Sequence, residues 1–196
     1  MVDEVTHSHQ GLIKASFEPM RDFYQRRQIV RLDTLASHVQ LMNLRSESPR
    51  GSFVFPGIDY LDDIEVGGHP VGHVDYSISP LGDRVYINMI EIERAQRGQG
   101  IGLAVLWQLW HTHQVPIVPL DQWTSSDGFW YWARRQFAAA GAMLGEELRG
   151  DERQDLEKQR WQHLVPESVN DRSHRKYWEW VASEHAAGRP AGPGIR

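Results

Sequence analysis

Between residues 97 and 102 the chain reads Arg-Gly-Gln-Gly-Ile-Gly, and glycines at alternate positions can do chemistry that needs no side chain. Without Cβ atoms the backbone can turn tightly and approach a ligand closely, leaving several N–H groups unpaired. A helix that starts at such a turn adds the positive end of its dipole, so the unit reads as an anion cradle that a diphosphate fits. Other phosphate loops are disfavoured. A P-loop carries Lys and Ser or Thr after its last glycine, where Leu103 and Ala104 stand, and a dinucleotide fingerprint needs glycine at 103. Three glycines can also form an ordinary strand-to-helix turn without a ligand, so the flanking elements must decide.

Arg84 to Glu93, just before the turn, has Val85, Ile87 and Met89 on one parity and Ile90 and Ile92 on the other. That shift of phase predicts a strand with a β-bulge near Met89, or a strand covered on both faces. After the turn, Leu103, Val105, Leu106, Trp107, Leu109 and Trp110 predict a helix to His113 that is apolar nearly all round and therefore buried, ended by Pro116. Pro116 to Leu120 reads as a short strand that Pro119 places near an end or edge. Ser126 or Asp127 can cap a further helix that carries Phe129, Trp130, Trp132, Ala133 and Phe137 and ends at Gly141.

Upstream, Phe17, Met20, Phe23, Tyr24, Leu32, Leu35, Val39 and Met42 recur at three and four residues, which predicts helix through the first fifty residues, closed by Pro49 and Gly51. Phe53 and Phe55, and then Val71 to Ile78, alternate as strands do, around a turn at 66–70. Glu146 to His163 and Arg172 to His185 read as helices, and Gly188 to Arg196 as a disordered tail. The expected organisation is a helical segment over 1–50, a core over 51–145 and a helical extension over 146–196. In that extension Trp161, Trp178 and Trp180 are the expected anchors, on the domain or across a homodimer contact.

A chain of 196 residues, 40% hydrophobic and 24% charged, is expected to fold as a globular domain without a membrane span. With no cysteine it has no disulfide, thiolate metal site or cysteine nucleophile. Met1 to Gln10 lacks the apolar run of a secretory signal, so a cytoplasmic location is expected. The net charge of −5 opposes nucleic acid as a partner, leaving Arg26-Arg27, Arg134-Arg135 and Arg172 to Lys176 as the basic clusters. No metal is expected, because His111 and His113 point to different helix faces.

Arg97-x-x-Gly-x-Gly102, after a strand ending Ile90-Glu-Ile92 and before a buried helix, resembles the coenzyme A signature of the GNAT superfamily of N-acetyltransferases. Ala133 to Gly141 is similar to the family's late helix, of the form A-x-x-x-Y-x-x-x-G, and the likeness spans about Phe53 to Leu144. It implies an α/β fold, a central mixed sheet with helices on both faces, whose bulged fourth strand splays from the fifth. It also implies acetyl-CoA as acyl donor and a primary amine as acceptor. Ile90 and Ile92 would pair with the pantetheine arm, and Arg97, Gly98, Gln99, Gly100, Ile101 and Gly102 would hold the diphosphate.

The implied chemistry is direct attack of a neutral amine on the thioester, which needs a base, an oxyanion donor and an acid. Backbone N–H groups near Ile90 to Ile92 are the expected donors, and Glu91 or Glu93 the expected base, with His73 and Asp75 as second candidates. The family's usual acid is a tyrosine where this chain has Phe137, so Tyr131, Ser125, Ser126 or water would substitute, or the thiolate leaves unassisted. Arg134 or Arg135 can reach a coenzyme phosphate, and Phe129 to Trp132 can line a substrate pocket. Two rival readings are a non-catalytic acyl-CoA binder and a toxin-like acetyltransferase acting on aminoacyl-tRNA.

Overall fold

The computed structural model describes residues 19–47, 58–165 and 167–189. Phe17, Pro49, Gly51, Phe53, Phe55, the stretch Met1 to Gln10 and residues 190–196 of the expected tail lie outside the described residues. Helix α1 (Pro19–Ala36) leads into five strands, β1 (Val39–Glu47), β2 (Asp59–Val66), β3 (His69–Ile78), β4 (Val85–Ile92) and β5 (Ile117–Pro119). Helix α2 (Ile101–His113) joins β4 to β5, and α3 (Asp127–Ala139), α4 (Asp151–Gln159) and α5 (Val169–Ala186) follow. The strands lie in sequence order in one mixed sheet, antiparallel from β1 to β4, with β5 parallel to β4. A right-handed crossover through a helix is the normal way to join two parallel neighbours.

The main core lies between the sheet and one helical layer: Leu32 of α1, Leu103 and Leu106 of α2, and Trp130, Ala133 and Phe137 of α3 pack with Ile64, Val74, Val85 and Ile87. On the other sheet face Tyr86, Val118 and Leu120 form a smaller cluster with Leu148. There α4 closes the layer, because its buried Glu157 accepts from the Tyr86 hydroxyl at 2.5 Å. No helix among the described residues is long and apolar enough to cross a membrane.

The helix expected through the first fifty residues stops at Ala36, and Val39 and Met42 belong to β1. The amide of Gln108 on α2 donates to the carbonyls of Ala36 (2.7 Å) and Val39 (2.6 Å), so the chain leaves the helix where a tertiary partner takes over its terminal carbonyls. Val39 is then buried while Met42 faces outward, as alternate strand positions require. The first C-terminal helix is shorter than expected, since Glu146 to Gly150 are irregular and Leu144 and Leu148 bridge to Ile117 and Leu120, whereas α5 extends beyond the expected Arg172 to His185 at both ends. Trp161 is buried as expected, whereas Trp178 and Trp180 are exposed.

Candidate functional site

The bulge anticipated near Met89 lies at Asn88. Tyr76 of β3 faces Ile87 and Asp75 faces Met89, so Asn88 is the extra residue on β4. The insertion turns Asn88 and Met89 to the outer sheet face and keeps Ile90 and Ile92, like Val85 and Ile87, on the core side, which accounts for the shift of apolar phase.

Strand β5 pairs with β4 only at Val85, Tyr86 and Ile87, and the last ladder bond runs from Leu120 N–H to Ile87 O at 2.9 Å. The two strands part there. Gln122 sits at the apex of the opening: its amide nitrogen donates to Leu120 O (2.7 Å) and Ile87 O (3.2 Å), and its oxygen accepts from the Trp130 indole at 3.1 Å. Past the apex, Glu93 N–H donates back to Val71 O on β3 at 2.8 Å, so by strand alternation Ile92 turns its polar groups to the open side. Its carbonyl accepts the Arg97 Nε–H at 2.8 Å, and Ile90, two residues earlier, has the same orientation.

After a short 3-10 turn at Arg94–Gln96 the chain enters α2 through Gly98 (φ 79°) and Gly100 (φ 83°), both in the left-handed region that favours glycine. Gly100 is the N-cap and offers no side-chain oxygen to the first helical N–H groups, which have no intrahelical partner. Gly102 serves packing instead, because a Cβ there would stand 3.2 Å from the Phe129 ring and 3.8 Å from Ile90 Cδ1. The glycine turn, the open edge of β4 and the start of α3 thus meet at one place.

Beside the bulge, on the outer face, His73 Nε2 lies 3.9 Å from Glu91 Oε2 as a cross-strand pair. Gly72 permits this register, since a Cβ there would stand 2.0 Å from the Glu91 carbonyl oxygen. The Asn88 amide donates to Asp75 Oδ1 at 2.8 Å and to Ser77 Oγ at 3.4 Å. Glu93 is exposed at the strand end, and its carbonyl accepts from Gln96 N–H. Sequence reasoning singled out neither Asn88 nor Gln122; the phase shift marked the region of the first, and nothing local marks the second.

The remaining candidates are dispersed. Tyr131 is 63% exposed, outside the buried stripe of α3, with the Arg135 guanidinium 5.8 Å from its ring centroid. Arg134 donates to Gly145 O and borders a groove of about 540 Å³ with Asp127, Glu146, Glu147, Arg149 and Arg153. Ser126 donates to Trp123 O. Phe137 is fully buried, with the Trp107 ring edge-on at 5.5 Å. A second groove, of about 810 Å³, lies at the far end of α2. It is lined by Asp62, Tyr76, His111 and His113, and burial lowers the pKa of His113.

The family model described as Acetyltransferase (GNAT) family matches residues 13–114, just over half of the chain. The match takes in α1, strands β1 to β4, the glycine turn and α2, and stops before β5 and α3. No curated protein and no solved structure matches the chain.

Proposed function

The chain belongs to the acetyltransferase (GNAT) family, whose members are in general acyltransferases that use acetyl-CoA, and on that premise we propose that it transfers an acetyl group to a primary amine by direct attack on the thioester. One observation carries this reading: the edge of β4 beyond Ile87, which no described strand covers, lies next to a helix N-terminus capped by a glycine without a side chain. Bare N–H donors at a helix N-terminus suit a diphosphate, and an open strand edge suits the amide-bearing arm attached to it. Gly98, Gln99, Gly100, Ile101 and Gly102 form the diphosphate cradle. Ile90 and Ile92 offer backbone groups to the arm. Arg97, tied to Ile92 O, holds the strand end against the turn.

The thioester supplies an activated acyl carbon, whose bond to sulfur breaks as its bond to the amine nitrogen forms. Backbone N–H groups at Ile90 and Ile92 steady the carbonyl oxygen as it gains charge. Glu91, with His73 within reach of its carboxylate, takes the proton that the amine must lose, and Glu93 is the second carboxylate available at the strand end. Phe137 is barred from the acid role by its chemistry and its burial. Tyr131 is the tyrosine retained for it, although a thiol with a pKa of about 8.5 also leaves without help.

The basic stretch on α5 favours no polyanion partner, because Arg175 is bound to Glu167 (2.8 and 2.9 Å) and Glu179 (2.7 Å). The test is release of free thiol from acetyl-CoA across a panel of primary amines, beside calorimetry with coenzyme A. Thiol release that requires an amine, with saturable coenzyme binding, upholds the reading. Binding without turnover returns a non-catalytic acyl-CoA binder, and absence of binding sinks both.

A further inference from the structure

We propose that Asn88 is a positioning residue that pins the β4 bulge in register, and so holds the Ile90 N–H on the line where it meets the carbonyl oxygen of the bound acyl group. The inference rests on the acyltransferase reading above. A bulge contributes one residue without a cross-strand partner, and it can migrate along the strand unless something fixes it. Here migration would be costly to the site. Moving the extra residue past Ile90 would exchange the faces of Met89 and Ile90 and turn the Ile90 N–H away from the open edge, since neighbouring positions alternate.

The register breaks between Asp75 and Tyr76, and the Asn88 amide bonds to side chains on both sides of that break. It donates to Asp75 Oδ1 at 2.8 Å and to Ser77 Oγ at 3.4 Å, and Ser77 is fully buried. One planar amide thereby ties the unpaired residue to positions 75 and 77 together. A side chain without two donors cannot span both. The Asp75 bond is charge-assisted, the stronger kind. Asn88 touches no reacting atom in this account; it acts through the backbone two residues on.

The test uses the full-length chain with [1-13C]acetyl-CoA and needs no knowledge of the amine. In the wild type the bound carbonyl resonance moves downfield from its free position as the N–H groups of β4 donate to it. In Asn88→Ala that shift returns most of the way to the free value, while the Kd for coenzyme A, which has no acyl carbonyl, stays within about threefold. With any amine that supports turnover, kcat falls about 30-fold and KM for acetyl-CoA holds, in keeping with the roughly 100-fold penalty for misplacing a reacting group by about 1 Å. Asp75→Asn, which keeps an oxygen to accept the bond, keeps the wild-type carbonyl shift; Asp75→Ala loses it, and adds nothing to the loss in Asn88→Ala.

An unchanged carbonyl shift in Asn88→Ala, or parallel losses in shift and coenzyme A affinity, overturns the role of Asn88 and leaves the acyltransferase reading intact. Failure of the wild type to bind coenzyme A overturns that reading, and the role of Asn88 with it.

Discussion

Val85–Ile87 and Asn88–Ile92 are two halves of one strand, yet β5 closes the first and leaves the second open. In the closed half Val85, Tyr86 and Ile87 are wholly buried, and even the one polar side chain is satisfied: the Tyr86 hydroxyl donates to Glu157, which also accepts from Arg84 at 2.7 Å and Arg160 at 2.6 Å. In the open half Met89 and Glu91 are exposed, and Ile90 and Ile92 face an edge that no described strand covers. Buried backbone groups are almost always paired, so an edge left open beside a buried core invites a ligand to pair with it. Under the proposed function the difference separates stability from binding along a single strand, with Gln122 at the boundary.

Glu157→Ala strikes the closed half and should have the largest effect. Removing one partner of a buried ion pair costs about 3 to 5 kcal/mol, and the partial exposure of Arg84 and Arg160 places this case near 3. Urea unfolding should show that loss, while coenzyme A affinity measured on the folded fraction stays unchanged. A matching loss of affinity would break the separation. Gly100→Val strikes the open half: a β-branched residue at φ 83° is strained, and its Cβ would stand 3.4 Å from Leu35 Cδ2. Calorimetry should show coenzyme A binding weakened about 100-fold, or roughly 2.7 kcal/mol, if the glycine-capped turn holds the diphosphate.

Part of this division was legible in the sequence and part was not. The shift between Met89 and Ile90 located the bulge to within one residue, because a bulge leaves its mark in apolar periodicity wherever one face is core. Gly98, Gly100 and Gly102 were recognisable as a turn, but not as two conformational glycines and one packing glycine, since that distinction depends on the distant Phe129. Val39 and Met42 misled because the spacing 32, 35, 39, 42 matches a helix. The carbonyl cap that ends α1 comes from Gln108, about seventy residues on. Gln122 and the Glu157 cluster were invisible for the same reason: their partners meet only after the sheet has formed. Of the expected anchors only Trp161 is buried, because aromatic content does not say which face of a helix will find a neighbour.

Gln122→Ala would sharpen the boundary itself. It removes both amide donors at the apex and leaves the buried Trp130 indole without its acceptor, a loss of about 2 kcal/mol for an unsatisfied buried donor. Hydrogen exchange should quicken at Leu120 N–H, the last ladder bond, with little change at Val85 N–H. Uniform quickening along β5 would mean that the halves are not independent.

Tyr86→Phe is the mildest probe, and its effect should depend on pH. Burial, and after it the hydrogen bond to and charge of Glu157, raise the Tyr86 phenol above its ordinary value. The unfolded chain therefore loses this proton near pH 10 while the folded chain keeps it. Above pH 10 the folded state binds more protons than the unfolded state, so stability falls as pH rises; below pH 10 the contribution is complete. Wild type should exceed Tyr86→Phe by about 1.5 kcal/mol below pH 10, the value of a hydrogen bond to a charged group. The gap should close as pH climbs towards the folded pKa. Tyr76, also raised by burial and then by Asp62, is common to both proteins and cancels from the difference. A gap that stayed constant from pH 8 to 11 would mean that the hydroxyl of Tyr86 contributes through shape alone, and that the closed half owes nothing to its bond with Glu157.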